Sequence, residues 1–195
     1  MSQTSPLQVD DIRTVAVLGA GTMGHGIAQV AAQSGWAVVL RDVDDARVTA
    51  GRDKIAANLA KGVELGKVSA ADRDAVLARI QVTTSVAEAA RAADVIIEAV
   101  PEQLELKQAL FREASAAAPA RALLASNTSS LSVARIAEAV DRPEQVVGMH
   151  FFNPVHLMKL VEVVRHERSA PAAVACALAM AERMGKTAIT VSDAP

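Results

Sequence analysis

Aromatic side chains are nearly missing from this 195-residue chain, which has three Phe, one Trp and no Tyr, 2% in all. That leaves little for base stacking, and a net charge of −2 gives no attraction to a polyanion, so nucleic acid is excluded as a partner. A single cysteine, Cys176, excludes an internal disulfide and fits a reducing compartment. It lies in the apolar helical stretch 172–180 and reads as a small core residue rather than a reactive thiol. No apolar run approaches the roughly 18 residues of a membrane span. The N-terminal MSQTSPLQVDDI has neither the basic nor the apolar segment of a targeting signal. These absences predict a cytoplasmic protein with residues 1–12 as a disordered lead-in and one domain over 13–195. What is abundant is apolar aliphatic sequence. Hydrophobic residues make up 51%, largely Ala, Val, Leu and Ile, enough for a sizeable core.

The most informative local pattern runs from Thr14 to Asp42. A short β-branched run, Val15 to Leu18, leads directly into Gly19-Ala20-Gly21-Thr22-Met23-Gly24, and a helical run from Thr22 to Ser34 follows. A second apolar run, Trp36 to Leu40, ends at Asp42, 18 positions past Gly24. G-x-G-x-x-G alone is weak, but strand, glycine turn, helix, strand and acidic residue together form the dinucleotide fingerprint. Gly19 allows the tight turn, Gly21 lets a pyrophosphate approach the backbone, and Gly24 lets the helix lie close to the sheet. The free N–H groups of the first helical turn, with Thr22 and Met23, face the phosphate charge. Asp42 is positioned to accept hydrogen bonds from both ribose hydroxyls and to repel a 2′-phosphate, which favours NAD. Arg41 beside it is a residue type that accommodates that phosphate, so the strength of the preference stays open.

Beyond Asp42 the pattern predicts helices over 44–65, 70–79, 86–92, 104–117, 133–140 and 171–184. Strands are predicted over 80–83, 94–98, 122–125, 145–149, 160–164 and 187–191. This alternation predicts an α/β fold, Rossmann-type and doubly wound, with a mainly parallel sheet. The strands at 145–149 and 160–164 lack a crossover helix, so an antiparallel strand is expected at that edge. Arg47, Lys54 and Lys61 recur every seven residues, either as a solvated helix face or as a landing site for a polyanionic substrate handle.

Ligands of open α/β sheets bind outside the carboxyl ends of the strands. There the sequence puts the glycine loop, Asp42, 98–102, 126–130 and 150–153. Glu162 is the anomaly, a carboxylate within the apolar run Leu160-Val161-Glu162-Val163-Val164. Either it meets solvent at an edge or something pairs with it. His150 on the neighbouring segment is the candidate partner, because a carboxylate fixes the ring tautomer and raises the basicity of the other nitrogen. Hydride transfer from a secondary alcohol needs such a base, with Ser129 and Asn153 as donors to the forming carbonyl. The SNTSS run reads equally well as a loop with helix caps. His25 reads as an exposed first-turn residue. No pair of His, Cys or carboxylates has metal-ligand spacing.

GAGTMGHGIA, Asp42, IIEAVPEQLELK, ASNTSSL, GMHFFNPVHLMKLVEVV and GKTAITVSDAP occur in that order. Together they resemble the NAD-binding domain of the L-3-hydroxyacyl-CoA dehydrogenases, including the 3-hydroxybutyryl-CoA type. The resemblance implies His150 as catalytic base, Glu162 as the carboxylate orienting it, and Ser129 touching both substrate and nicotinamide. It implies that Glu102, Lys107 and Asn153 contact the nicotinamide half of NAD. Coenzyme A of the acyl-CoA substrate is expected against the long helix, with Lys54, Asn58 and Lys61 as candidate contacts. In this family an all-helical C-terminal domain follows and builds the homodimer, so the sequence is expected to be the cofactor domain of a longer enzyme. Two alternatives stay open: a β-hydroxyacid dehydrogenase acting on free acids, and a non-catalytic, crystallin-like NAD-binding protein on the same fold.

Overall fold

The computed structural model describes residues 5–193. Eight strands form one sheet: β1 (Thr14–Leu18), β2 (Ala37–Arg41), β3 (Ile80–Thr83), β4 (Val95–Glu98), β5 (Leu123–Ser126), β6 (Val146–Phe151), β7 (Leu160–Arg165) and β8 (Thr187–Ser192). Their order is β3-β2-β1-β4-β5-β6-β7-β8. The first six are parallel, β7 pairs antiparallel with β6, and β8 pairs parallel with β7. The strand expected to run against the others at the edge is therefore two strands. β7 is covered on its outer side by β8, because a helix returns the chain to β7's own direction.

Among the described residues, seven α-helices connect the strands: α1 (Gly24–Gln33), α2 (Asp45–Glu64), α3 (Ala70–Ala78), α4 (Val86–Ala90), α5 (Leu104–Ala117), α6 (Val133–Ala137) and α7 (Pro171–Arg183). Helix α6 is shorter than the periodicity predicts. Its last turn tightens, with Ala139 and Val140 donating to the carbonyls of Ile136 and Ala137 three residues back.

The apolar strand runs arise because both faces are covered. On one face Val15, Val17, Val95, Ile97, Val147 and Met149 pack against α1, α2 and α7. On the other, Ala16, Leu18, Ile96, Leu124 and Val146 pack against α4, α5 and α6. With so few aromatics, small residues bring helix and strand together; Ala28, Ala31, Ala32, Ala114, Ala177 and Ala181 are all fully buried.

The segment expected as a disordered lead-in carries two core side chains instead. Leu7 and Ile12 are buried on either side of a 3-10 turn at Val9–Asp11, and Asp10 pairs with Arg183 at 3.1 Å. The polar residues between them concealed this anchoring. Residues 1–4 of that expected segment, and 194–195 of the expected domain, lie outside the described residues. No helix among the described residues is long and apolar enough to cross a membrane.

Candidate active site

The loop between β1 and α1 is built on three differently used glycines. Gly19 has φ +104°, a left-handed conformation, and a Cβ there would stand 2.7 Å from the Ala99 carbonyl oxygen. A Cβ on Gly24 would stand 1.7 Å from the Gly19 oxygen, so the helix starts in contact with its own loop. A Cβ on Gly21 would meet nothing within 4 Å. Gly21 and Thr22 thus present exposed backbone to open space at the mouth of a helix, where the residues present fit a diphosphate. Two further glycines, not singled out by the sequence pattern, allow close packing, one against this loop and one against the segment after β6. Gly51 of α2 lies against Ala20, and Gly26 lies against Val155.

Asp42 stands just past β2. One of its carboxylate oxygens accepts from the Ala20 N–H and the other from the Val43 N–H, both at 2.7 Å. Its neighbour Arg41 donates from Nε to the Thr84 carbonyl at 3.1 Å, so it reaches toward the turn after β3.

Across the rim from Gly24, a cleft of about 340 Å³ is lined by Met23, Ala99, Glu102, Ser129, His150 and Asn153, among others. His150 and Glu162 are directly opposed partners of the β6–β7 ladder, and His150 Nδ1 lies 2.8 Å from Glu162 Oε2. That contact puts a proton on Nδ1, shared with the carboxylate, and leaves Nε2 as the ring's free base. The side chains are 21% and 31% exposed, so substrate can reach the imidazole while Glu162 remains partnered. The Phe152 ring packs at 4.6 Å from the imidazole, inclined by 51°. The Asn127 side-chain oxygen accepts from the Phe151 N–H at 2.9 Å and fixes the end of β6.

Glu102 organises the loop after β5. Its Oε1 accepts from the Thr128 hydroxyl, the Ser129 N–H at 2.9 Å and the Ser130 N–H at 3.1 Å. Desolvation, the largest single effect, pushes its carboxyl up. The Thr128 hydroxyl, the Lys107 ammonium and the Ser129 N–H together overcome it and hold the group down at about 2. Lys107, expected to touch the cofactor, does not reach the cleft wall here. It is fully buried, its ammonium 2.8 Å from Glu98, 3.2 Å from Glu102 and 3.3 Å from the Val100 carbonyl.

A second cleft of about 240 Å³ lies between α1, α2 and the loop after β6. It brings Asn58 and Lys61 together with Lys67 and His156. Lys54 is exposed and is not in its lining. Burial, with His25 and Lys186 nearby, holds the His156 imidazole below its ordinary range. His25 is half-buried rather than exposed, its Nδ1 2.6 Å from the Gly21 carbonyl oxygen.

Glu98, Asn127, Thr128 and Asp193 were given no role by sequence reasoning. Glu98, Asn127 and Thr128 did fall within the rim stretches 98–102 and 126–130, and Glu98 was marked further as a carboxylate closing the otherwise apolar run Val95-Ile96-Ile97.

The chain is similar to proteins whose names bear on this geometry. The family profile described as 3-hydroxyacyl-CoA dehydrogenase, NAD binding domain, matches residues 14–194. The fatty acid oxidation complex subunit alpha of Acinetobacter baylyi is 43% identical over 184 residues, covering 94% of this chain and 26% of the relative. The structure of 3-hydroxybutyryl-CoA dehydrogenase from Escherichia coli K12 superposes with a TM-score of 0.91 at 41% identity, covering 94% of this chain and 39% of that one. The (S)-3-hydroxybutyryl-CoA dehydrogenase of Ralstonia eutropha gives 0.91 at 38% identity, covering 94% and 65%. The chain thus spans about a quarter of the length of the curated relatives it matches.

Proposed function

The chain belongs to the 3-hydroxyacyl-CoA dehydrogenase NAD-binding domain family, and from that membership we propose that its protein interconverts an L-3-hydroxyacyl-CoA and the 3-oxoacyl-CoA. NAD supplies the hydride acceptor, or as NADH the donor, when it is bound along the glycine loop. Gly21, Thr22 and Met23 would hold the diphosphate, on a loop that Gly19 and Gly24 shape; Asp42 would hold the adenosine ribose, and Glu102 and Asn153 the nicotinamide half, with Lys107 behind Glu102. His150 Nε2 takes the proton from the hydroxyl oxygen as the hydride leaves the carbon bearing that oxygen and the C–O bond becomes a carbonyl, and it returns the proton in the reverse direction. Glu162 keeps the proton on Nδ1 and stabilises the imidazolium that forms. Ser129 donates to the substrate oxygen. The coenzyme A handle is assigned to the second cleft, with Asn58 and Lys61 nearest and Lys54 at its margin.

The observation that carries this reading is the His150–Glu162 pair, opposed across one ladder at 2.8 Å on the rim that bears the glycine loop. The test is His150→Gln in the protein carrying this domain, assayed with acetoacetyl-CoA and NADH. Turnover is expected to fall about 10²–10⁴-fold, the usual worth of a positioned base, while NADH affinity stays within about twofold, since no phosphate or ribose contact is removed. If affinity falls as far as turnover, His150 is structural. Free 3-hydroxybutyrate assayed beside its CoA ester separates this reading from a free-acid dehydrogenase. We further propose a cytoplasmic protein that pairs as a homodimer through residues outside this domain. The homodimer is checked by sedimentation equilibrium of the longest form of the protein and would be refuted by a monomer.

A further inference from the structure

We propose that Glu98 is a positioning residue for the reaction, the buried anchor of a closed polar ring that sets both Glu102 and the Ser129 loop. The ring begins at Ser126, the last residue of β5, whose hydroxyl donates to Glu98 Oε2 at 2.7 Å. The other oxygen of Glu98 accepts from Lys107 Nζ at 2.8 Å and from the Val100 N–H at 2.6 Å. Lys107 passes to Glu102, and Glu102 returns to Thr128, Ser129 and Ser130. The path leaves the chain at Ser126 and rejoins it two to four residues later. In between it ties down the end of β4 and the first turn of α5.

Burial makes the ring expensive unless it is complete. Glu98, Lys107 and Ser126 are all 0% exposed, and each ionised group depends on the next for its charge and its hydrogen bonds. Lys107 has three N–H donors and three acceptors within 3.3 Å, so it is held in one place. A core needing only stability would be served as well by apolar groups of this size. This ring instead ends on a partly exposed carboxylate at the cleft wall and on two backbone N–H groups flanking the substrate-facing hydroxyl. Glu98 also closes the 98–100 turn, whose Ala99 carbonyl lies under Gly19. One buried anion thereby sets the glycine loop, Glu102 and Ser129 relative to one another.

The inference rests on the assignment of Glu102 to the cofactor. The test compares Lys107→Met, the double variant Glu98→Gln with Lys107→Met, and Ser126→Ala, measuring thermal stability, NADH affinity and its pH profile, and amide exchange. Lys107→Met alone strands the Glu98 charge and is expected to be badly destabilised. The double variant removes both charges and is expected to melt close to the wild type. Its NADH affinity is nevertheless expected to be weaker by about tenfold, the scale of a lost charged hydrogen bond. That affinity should acquire a dependence on pH in the acidic range, and the Ser129 and Ser130 amides should exchange about tenfold faster while those of β4 and β5 stay protected. A double variant with wild-type affinity, pH profile and loop protection overturns the inference. If the double variant does not fold, Ser126→Ala opens the ring without touching a charge; faster exchange at Ser129 and Ser130 supports the ring, and unchanged exchange overturns it. Wild-type protein that binds no NADH refutes the cofactor assignment itself, and the inference falls with it.

Discussion

A methyl group added at Gly21 and one added at Gly24 would meet opposite surroundings. At Gly21 it would project into open space, and at Gly24 into the Gly19 carbonyl at 1.7 Å. Gly21→Ala is therefore expected to leave stability unchanged or raise it by up to about 1 kcal/mol, through the unfolded chain, while NADH affinity falls. Gly24→Ala should lose both affinity and about 1–3 kcal/mol of stability, because backbone must move. Melting curves and NADH titration of the two variants separate a ligand-facing glycine from a packing one. Glu102 makes a prediction about pH. Its carboxyl is held below its ordinary value of 4.5, at about 2, so folding favours the ionised form. Its contribution is complete above about 4.5 and is lost as pH falls toward 2. Glu102→Gln should flatten this part of the acid limb of a stability–pH curve; an unchanged limb would show that other carboxylates dominate it.

Among the elements, α6 shows how a short helix can be held from a distance. Ser132 is its N-cap, accepting from the Arg135 N–H at 3.3 Å. Asp193 adds a second layer, taking the Ser132 hydroxyl at 2.8 Å and the N–H groups of Val133 and Ala134 at 3.0 and 2.8 Å. Asp193→Ala is expected to cost about 1–2 kcal/mol, as for other lost caps, and to raise amide exchange at Val133 and Ala134 first. Denaturant melts and exchange measurements check the two parts. The serine cap could be read locally, since Ser132 stands at the head of an apolar periodic run. The aspartate could not, because it comes from 59–61 residues away and sequence carries no mark of where β8 ends in space. The glycine loop and the strand runs were likewise legible from neighbours alone. The Lys107 burial was not, since a lysine on a helix ordinarily reads as exposed.

For the molecule as a whole, the alternation of strands and helices was enough to anticipate the doubly wound sheet, and Glu162 in an apolar strand was enough to name His150 as a candidate partner, beside the alternative of a carboxylate meeting solvent at an edge. What could not be read was the return of the chain in β8, because a last parallel pairing depends on which edge remains free. The roles of the glycines at 26 and 51 were hidden for the same reason, their contacts Val155 and Ala20 being distant in sequence. The ladder makes one more prediction. Glu162 faces His150, whereas Val163 points to the other face and is 0% exposed. Exchanging the two side chains, Glu162→Val with Val163→Glu, should therefore not restore turnover. It should also be less stable than Glu162→Val alone by several kcal/mol at most, of order the cost of an unpartnered buried carboxylate, as thermal melts would reveal.

The antiparallel turn of β7 against β6 has a consequence for how such a site can change over generations. Residues on Glu162's own face lie two positions away, about 6–7 Å along the strand, and one of them, Val164, fills the space that Gly148 leaves open. No other position along β7 itself can take over the acid by a small adjustment. Within that strand, a lineage that lost this carboxylate could recover the pair only by reversion at the same codon. A substitute would have to come from another strand, where Ile189 of β8 is the ladder partner of Glu162.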